Sequence, residues 1–174
     1  MNAISKPILA APLEAMLAAI ALAARADFSE RHLAVAAAIA PYLGTENLLA
    51  GRDCPCNPHR YSRHLLHNNE EAGYAVVAIV WTPGQMSPVH GHRTWCALGV
   101  HRGWLAETYF TRTGTEILPT RCTQRTPGMT SHATADRDAI HRLANLGTQE
   151  AVSIHVYGVA FDDFGDGVNE VYAM

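Results

Sequence analysis

Eight residues, Tyr74 to Trp81, read Tyr-Ala-Val-Val-Ala-Ile-Val-Trp. A β-branched apolar run with no charge in it is expected of a buried strand. Such a strand needs neighbours to hide it, and from Tyr61 onward the chain supplies them. Strand-like stretches fall at about 61–67, 88–100, 103–110, 115–118, 121–126, 139–144 and 150–157. Turn residues separate them, among them Gly103, Gly114, Pro127-Gly128 and Gly147. Short strands at that spacing predict an all-β sandwich or barrel.

Two Ala-rich helices are expected ahead of the strands. Residues 13–25 put Leu13, Leu17, Ile20 and Ala24 on one stripe, with Pro12 suited to the first turn. Ser29 can cap a second helix from about Glu30 to Ala40. Prolines 55 and 58 with Gly51 make residues 50–60 an irregular connector. The expected fold is mainly β, with two or more N-terminal helices packed outside.

At 174 residues, 48% hydrophobic and 17% charged, the chain has the length and composition of one compact domain. Its expected parts are N-terminal helices over 1–49, a β-barrel over 50–160 and a tail over 161–174 that is a surface or closing segment. A net charge of -3 without a basic run argues against nucleic acid. The apolar run from Leu13 to Ala24 is too short to span a membrane. A secretory reading of it would rest on Lys6 as a thin charged region, and Glu14 and Arg25 interrupt it. An amphipathic helix, no membrane partner and a cytoplasmic protein are expected. Four cysteines (Cys54, Cys56, Cys96 and Cys122) match neither a zinc spacing nor a disulfide framework. Cys54 and Cys56 receive no role.

The stretch from Gly84 to Gly103 carries the chemistry. His90 and His92 project from one face of a strand by period two, with Gly91 pointing the other way. Two neutral imidazoles so placed make half of a metal site. Continuing that period puts Cys96 on the same face. His141, on a later strand, is far enough along the chain to cross over and complete a three-imidazole set. No acidic residue stands at a spacing where it would help. Three neutral ligands leave a divalent ion at its full charge, which favours an anionic ligand such as a thiolate. The other histidines (His32, His59, His64, His67, His101 and His132) read as surface or supporting residues.

The last strand holds Ser153, His155 and Tyr157 on one face, with Ile154 and Val156 on the other. Serine, histidine and tyrosine in a row can form a hydrogen-bonded chain. A serine-hydrolase reading fails, because there is no nucleophile elbow.

These residues resemble the thiol dioxygenases of the cysteine dioxygenase type, which have a cupin fold. Gly84-x5-His90-x-His92-x3-Cys96-x6-Gly103 is similar to the first cupin motif, with Cys96 where most cupins place a glutamate ligand. His141-x3-Asn145 is similar to the end of the second motif. The likeness covers roughly residues 50–160, and the paired helices also fit. It implies iron(II) held by His90, His92 and His141, with Tyr157 beside it, supported by His155 and Ser153. In the animal enzymes the cysteine at the position of Cys96 forms a thioether with the tyrosine at the position of Tyr157, so the same crosslink is available here.

Arg63 matches the arginine that binds the substrate carboxylate in cysteine dioxygenases, with Tyr61 beside it. Relatives preferring 3-mercaptopropionate usually carry glutamine there. The text around it, Trp81 to His90 and Arg93-Thr-Trp95, reads more like those mercaptopropionate enzymes. No arginine follows Tyr157 to match a C-terminal one seen in relatives.

The resemblance implies oxidation of a small carboxylate-bearing thiol by O2 to a sulfinic acid, cysteine to cysteine sulfinate first. The alternative substrates are 3-mercaptopropionate and mercaptosuccinate. A zinc or nickel cupin hydrolase or isomerase, and a ligand-binding cupin, are the competing readings. Oligomeric state is left open.

Overall fold

The computed structural model describes residues 11–173. Lys6, and with it the start of a secretory reading, lies outside them. Among the described residues, helices α1 (Pro12–Ala23) and α2 (Arg31–Ile39) precede a body of strands. Residues after Tyr157 add a short helix α3 (Phe164–Gly167) and a final strand. No helix among them is long and apolar enough to cross a membrane.

The strands are β1 (Ser62–Asn69), β2 (Tyr74–Trp81), β3 (Val89–His92), β4 (Cys96–Arg102) and β5 (Leu105–Thr113). They continue with β6 (Glu116–Arg125), β7 (Thr130–Ala133), β8 (Ile140–Ala144), β9 (Ala151–Tyr157) and β10 (Asn169–Tyr172). They form two antiparallel sheets, ordered β1-β2-β9-β4-β7 and β10-β3-β8-β5-β6. The architecture is mainly β, a cupin-type double-stranded β-helix with helices outside, as expected.

Period two explains the burial of β2 and β9 on both faces. Val76, Ala78, Ile154 and Val156 turn outward, and Leu13, Met16 and Ile20 of α1 cover them together with Val35, Ala36 and Ile39 of α2. Val77, Ile79, Trp81 and Tyr157 turn inward onto Cys96, Leu98, Leu105 and Leu143. Each fully buried valine or leucine contributes roughly 1.5–3 kcal/mol, so the helices are part of the core.

Three details differ from the sequence reading. Ser29 is not the cap of α2. Glu30 occupies that position and makes no side-chain cap bond. The Asp27 carbonyl already accepts from the N–H groups of Glu30 and Arg31, at 2.9 Å each, so a side-chain oxygen there has less to satisfy. The stretch 88–100 is not one strand. It breaks at residues 93–95, and its halves, β3 and β4, belong to different sheets. The stretches 115–118 and 121–126 are one strand, β6, with an irregularity at Tyr109/Phe110 of its partner β5. The tail closes the fold: β10 pairs with β3, setting Asn169 opposite His92 and Val171 opposite His90.

Candidate metal centre

Three imidazoles meet between the sheets. His90 and His92 come from β3, and His141 from β8 lies directly opposite His90 in the strand register. All three are buried, and one ligand nitrogen from each lies within 4.8 Å of the others. Gly91 between the pair has a steric reason. A Cβ there would stand 2.0 Å from the Arg137 carbonyl oxygen. The loop that crosses at this point also accepts the His92 N–H at the Asp136 carbonyl, 3.0 Å.

The proton positions follow from the hydrogen bonds. His90 Nδ1 donates to the Pro88 carbonyl at 3.0 Å. His141 Nδ1 donates to Glu107 Oε1 at 2.9 Å. A neutral imidazole carries one N–H, so both Nε2 atoms present lone pairs, and they face each other at 3.2 Å. Two acceptors at that distance have no proton to share, and a cation between them satisfies both. His92 brings a third ring, whose Nδ1 is buried without a hydrogen-bond partner among the described residues. Burial is the main force holding His90 and His92 neutral, aided by the neighbouring imidazoles. His90 is pushed down to about 3 and His92 to about 2. The donor set therefore fits a resident divalent metal at neutral pH.

Glu107 was not legible as part of this site, and no acidic ligand was expected. It is not placed as a ligand. It is fully buried on β5 and stands behind His141. Its Oε1 also accepts from Ser131 Oγ at 2.8 Å. Its Oε2 accepts from Arg125 Nε at 2.7 Å, and Arg125 Nη2 donates to Tyr109 Oη at 2.8 Å. Burial alone would raise its pKa. The His141 and Ser131 hydrogen bonds and the Arg125 charge outweigh burial and hold it down to about 2. An ionised carboxylate on the far nitrogen fixes a ligating histidine's tautomer and orientation. Arg125 balances the charge, so the three-histidine centre keeps the net charge expected for it. One sequence signal pointed here: period two on β5 puts Glu107 on the inward face with Leu105.

The opposite sheet contributes Ser153, His155 and Tyr157, all inward-facing on β9. Trp81 Nε1 donates to Ser153 Oγ at 3.0 Å, which leaves the serine hydrogen for His155 Nε2 at 2.8 Å. His155 is held neutral, down to about 3, chiefly by burial and then by the Arg63 charge. With Nε2 accepting, its proton sits on Nδ1, which donates to Tyr157 Oη at 3.1 Å. The Tyr157 O–H is then free for the cavity that it lines with all three histidines. Burial pushes the phenol up, so it stays protonated. Trp81 is a second residue that the sequence reading passed over as part of the site.

Cys96 reaches the site by a different route from the one expected. It is on β4, in the other sheet from His92, and faces the histidines across the interior rather than following them along one strand. It is directly opposite Tyr157 in the β4–β9 register, a relation that brings Cβ atoms to about 4.5–5.5 Å. Burial raises its thiol to about 12.

Arg63 and Tyr61 line the mouth of the same cavity. Arg63 Nη2 donates to Tyr61 Oη at 3.1 Å, and the Tyr61 ring packs on Trp81 at 4.6 Å. Outside them lies a broader basin lined by Asn57, Arg60, Tyr61, Ser62, Arg63 and Pro88. Arg60 is a second cation there that sequence reasoning did not single out. Asn145 is structural: its Nδ2 donates to the carbonyls of Trp81 and Gln149. Cys54 and Cys56 lie away from this cavity's lining as free thiols.

A double-stranded β-helix with three inward histidines, backed by a carboxylate, fits a cupin metal enzyme. Residues 9–165 match the family model described as cysteine dioxygenase type I, and the chain belongs to that family. Membership puts it among oxygenase-type oxidoreductases. Solved structures with a similar fold include the protein TT1209 from Thermus thermophilus, 22% identical, with a TM-score of 0.47 over 67% of this chain and 98% of that one. Another is a protein with a double-stranded β-helix domain from Klebsiella pneumoniae, 16% identical, with a TM-score of 0.48 over 69% and 90% of the two chains. A third is an RmlC-like cupin protein from Desulfovibrio desulfuricans, 21% identical, with a TM-score of 0.42 over 66% and 96%.

Proposed function

We propose that this chain is an iron(II) thiol dioxygenase converting a small carboxylate-bearing thiol and O2 to the sulfinic acid, with cysteine the first substrate. The observation that carries the reading is the pairing, in one cavity, of three convergent imidazoles with a protonated tyrosine on a buried relay. His90, His92 and His141 hold the iron, which when bound supplies the redox chemistry joining dioxygen to sulfur.

The other residues bind and orient. The Arg63 guanidinium forks onto the substrate carboxylate through charge-assisted hydrogen bonds, with Tyr61 bracing it. Sulfur then points into the narrow part of the cavity, and the carboxylate stays in the cationic basin. Tyr157 offers its O–H to the reacting atoms, and Ser153 and His155 keep that hydrogen directed inward. Burial keeps bulk water from competing for it. The Cys96–Tyr157 register supports a thioether between them, which would lock the phenol in place. Forming it would replace the Cys96 S–H and a Tyr157 ring C–H with an S–C bond, dioxygen being the oxidant that takes up the two hydrogens, and their loss would show as a lower intact mass.

An oxygen-electrode assay of the iron-loaded protein with cysteine, 3-mercaptopropionate and mercaptosuccinate tests this reading. Oxygen uptake with sulfinate formation is expected. Arg63→Gln is expected to lower cysteine turnover more than mercaptopropionate turnover. No uptake with any thiol, or activity only with zinc or nickel, sinks the reading.

A further inference from the structure

The three-histidine cluster has a second cavity behind it. It measures about 240 Å³ and is lined by Leu98, Phe110, Ala133, Ala139 and Ile140 among others. His92, Cys96, Leu98 and His141 line both this cavity and the one that opens at Arg63. Those side chains are therefore a single wall between two chambers. We propose that the rear chamber is the docking site for dioxygen, so that gas and thiol approach the histidines from opposite sides. The inference rests on the dioxygenase reading and adds the route and the holding site.

Three observations carry it. The front chamber is small, about 20 Å³, little more than the space one water needs. A sulfur seated there leaves no passage beside it for a second ligand.

The two chambers also sort ligands by charge. The front basin has Arg60 and Arg63 and, among the described residues, no carboxylate in its lining. The rear chamber has Glu107 and Asp138 and, among the described residues, no lysine or arginine in its lining. An anionic thiol is drawn to the front and gains nothing at the back.

Finally, the polar groups deepest in the rear wall are already occupied. Glu107 accepts from His141, Ser131 and Arg125, and Tyr109 Oη accepts from Arg125. They offer little to water or a polar ligand. Apart from His132, Asp138, whose carboxylate is paired with Arg112, and the shared wall, the remaining lining (Phe110, Ala133, Ala139 and Ile140) is apolar, and apolar cavity surface takes up small apolar molecules such as xenon.

Xenon under pressure is the first probe, read by crystallography of the wild-type protein. It needs no turnover, and density in the rear chamber is expected. No xenon there at a pressure that labels other sites overturns the proposal. The second probe narrows the chamber with Ala133→Phe and, separately, Ala139→Phe, each checked for an unchanged metal content. A several-fold rise in KM for O2 is expected, with KM for the thiol unchanged. An unchanged KM for O2 in both folded variants overturns the rear site while leaving the dioxygenase standing. Absence of O2 uptake with every thiol overturns both.

Discussion

The two sheets bring opposite kinds of chemistry to one cavity. On the β1-β2-β9-β4-β7 sheet the polar groups form a linear relay: Trp81 to Ser153, Ser153 to His155, His155 to Tyr157. Its members satisfy one another except at the end, where the Tyr157 O–H is left for the cavity. On the β10-β3-β8-β5-β6 sheet the imidazoles of His90 and His141 are satisfied only on their far side. Toward the cavity, lone pairs confront lone pairs at 3.2 Å. The first arrangement directs one hydrogen. The second awaits a cation. A buried polar cluster is thus a candidate site because of what it leaves unsatisfied, not because it is polar.

The contrast can be broken most severely on the histidine sheet. His90→Ala or His141→Ala is expected to abolish stoichiometric metal retention and all turnover, measured by metal analysis after gel filtration. Ser153→Ala should keep the metal, and equal metal loss in both sets would erase the distinction.

A smaller effect is expected one step back. Glu107→Gln should weaken metal affinity by about 10–100-fold, measured by chelator competition. It should leave the thiol KM nearly unchanged, because Glu107 is behind the ligand and not in the front chamber.

Ser153→Ala leaves the Trp81 Nε1 and His155 Nε2 atoms without their partner. A stability loss of about 1–3 kcal/mol is expected, read by denaturant unfolding, with turnover reduced and metal retained.

Acid on the metal-free protein perturbs both sheets at once. His90, His92 and His155 are held at about 3, 2 and 3 in the folded chain, below the ordinary histidine value of about 6.5. The unfolded chain takes up protons first, so stability should fall as pH drops from about 6.5 toward 3. A Tm series without metal, flat across that window, would show that the rings are not buried neutral.

Central and edge strands also differ in how far their sequences reveal them. β2 and β9 are buried on both faces, and their apolar runs announce them. Period two along β9 correctly sorts Ser153, His155 and Tyr157 from Ile154 and Val156. β10 and β7 are short, and Asn-Glu-Val-Tyr or Thr-Ser-His-Ala carries no such pattern. They are strands because β3 and β4 offer them an edge. The three histidines were legible because His90 and His92 share a strand face. Cys96 pointed to the right cavity on a wrong premise, since the chain changes sheets at residues 93–95. Glu107 was missed because its partners come from β7, β6 and β8, a convergence that sequence spacing does not encode.

The register between β3 and β8 has a consequence for how the ion arrives. His90 faces His141 because main-chain hydrogen bonds join their strands, so the cradle is set before anything enters it. A zinc finger collapses without its metal; this barrel instead offers a finished receptor. Withholding the metal should then leave a reservoir of folded, idle protein, ready to be switched on by delivery of the metal alone.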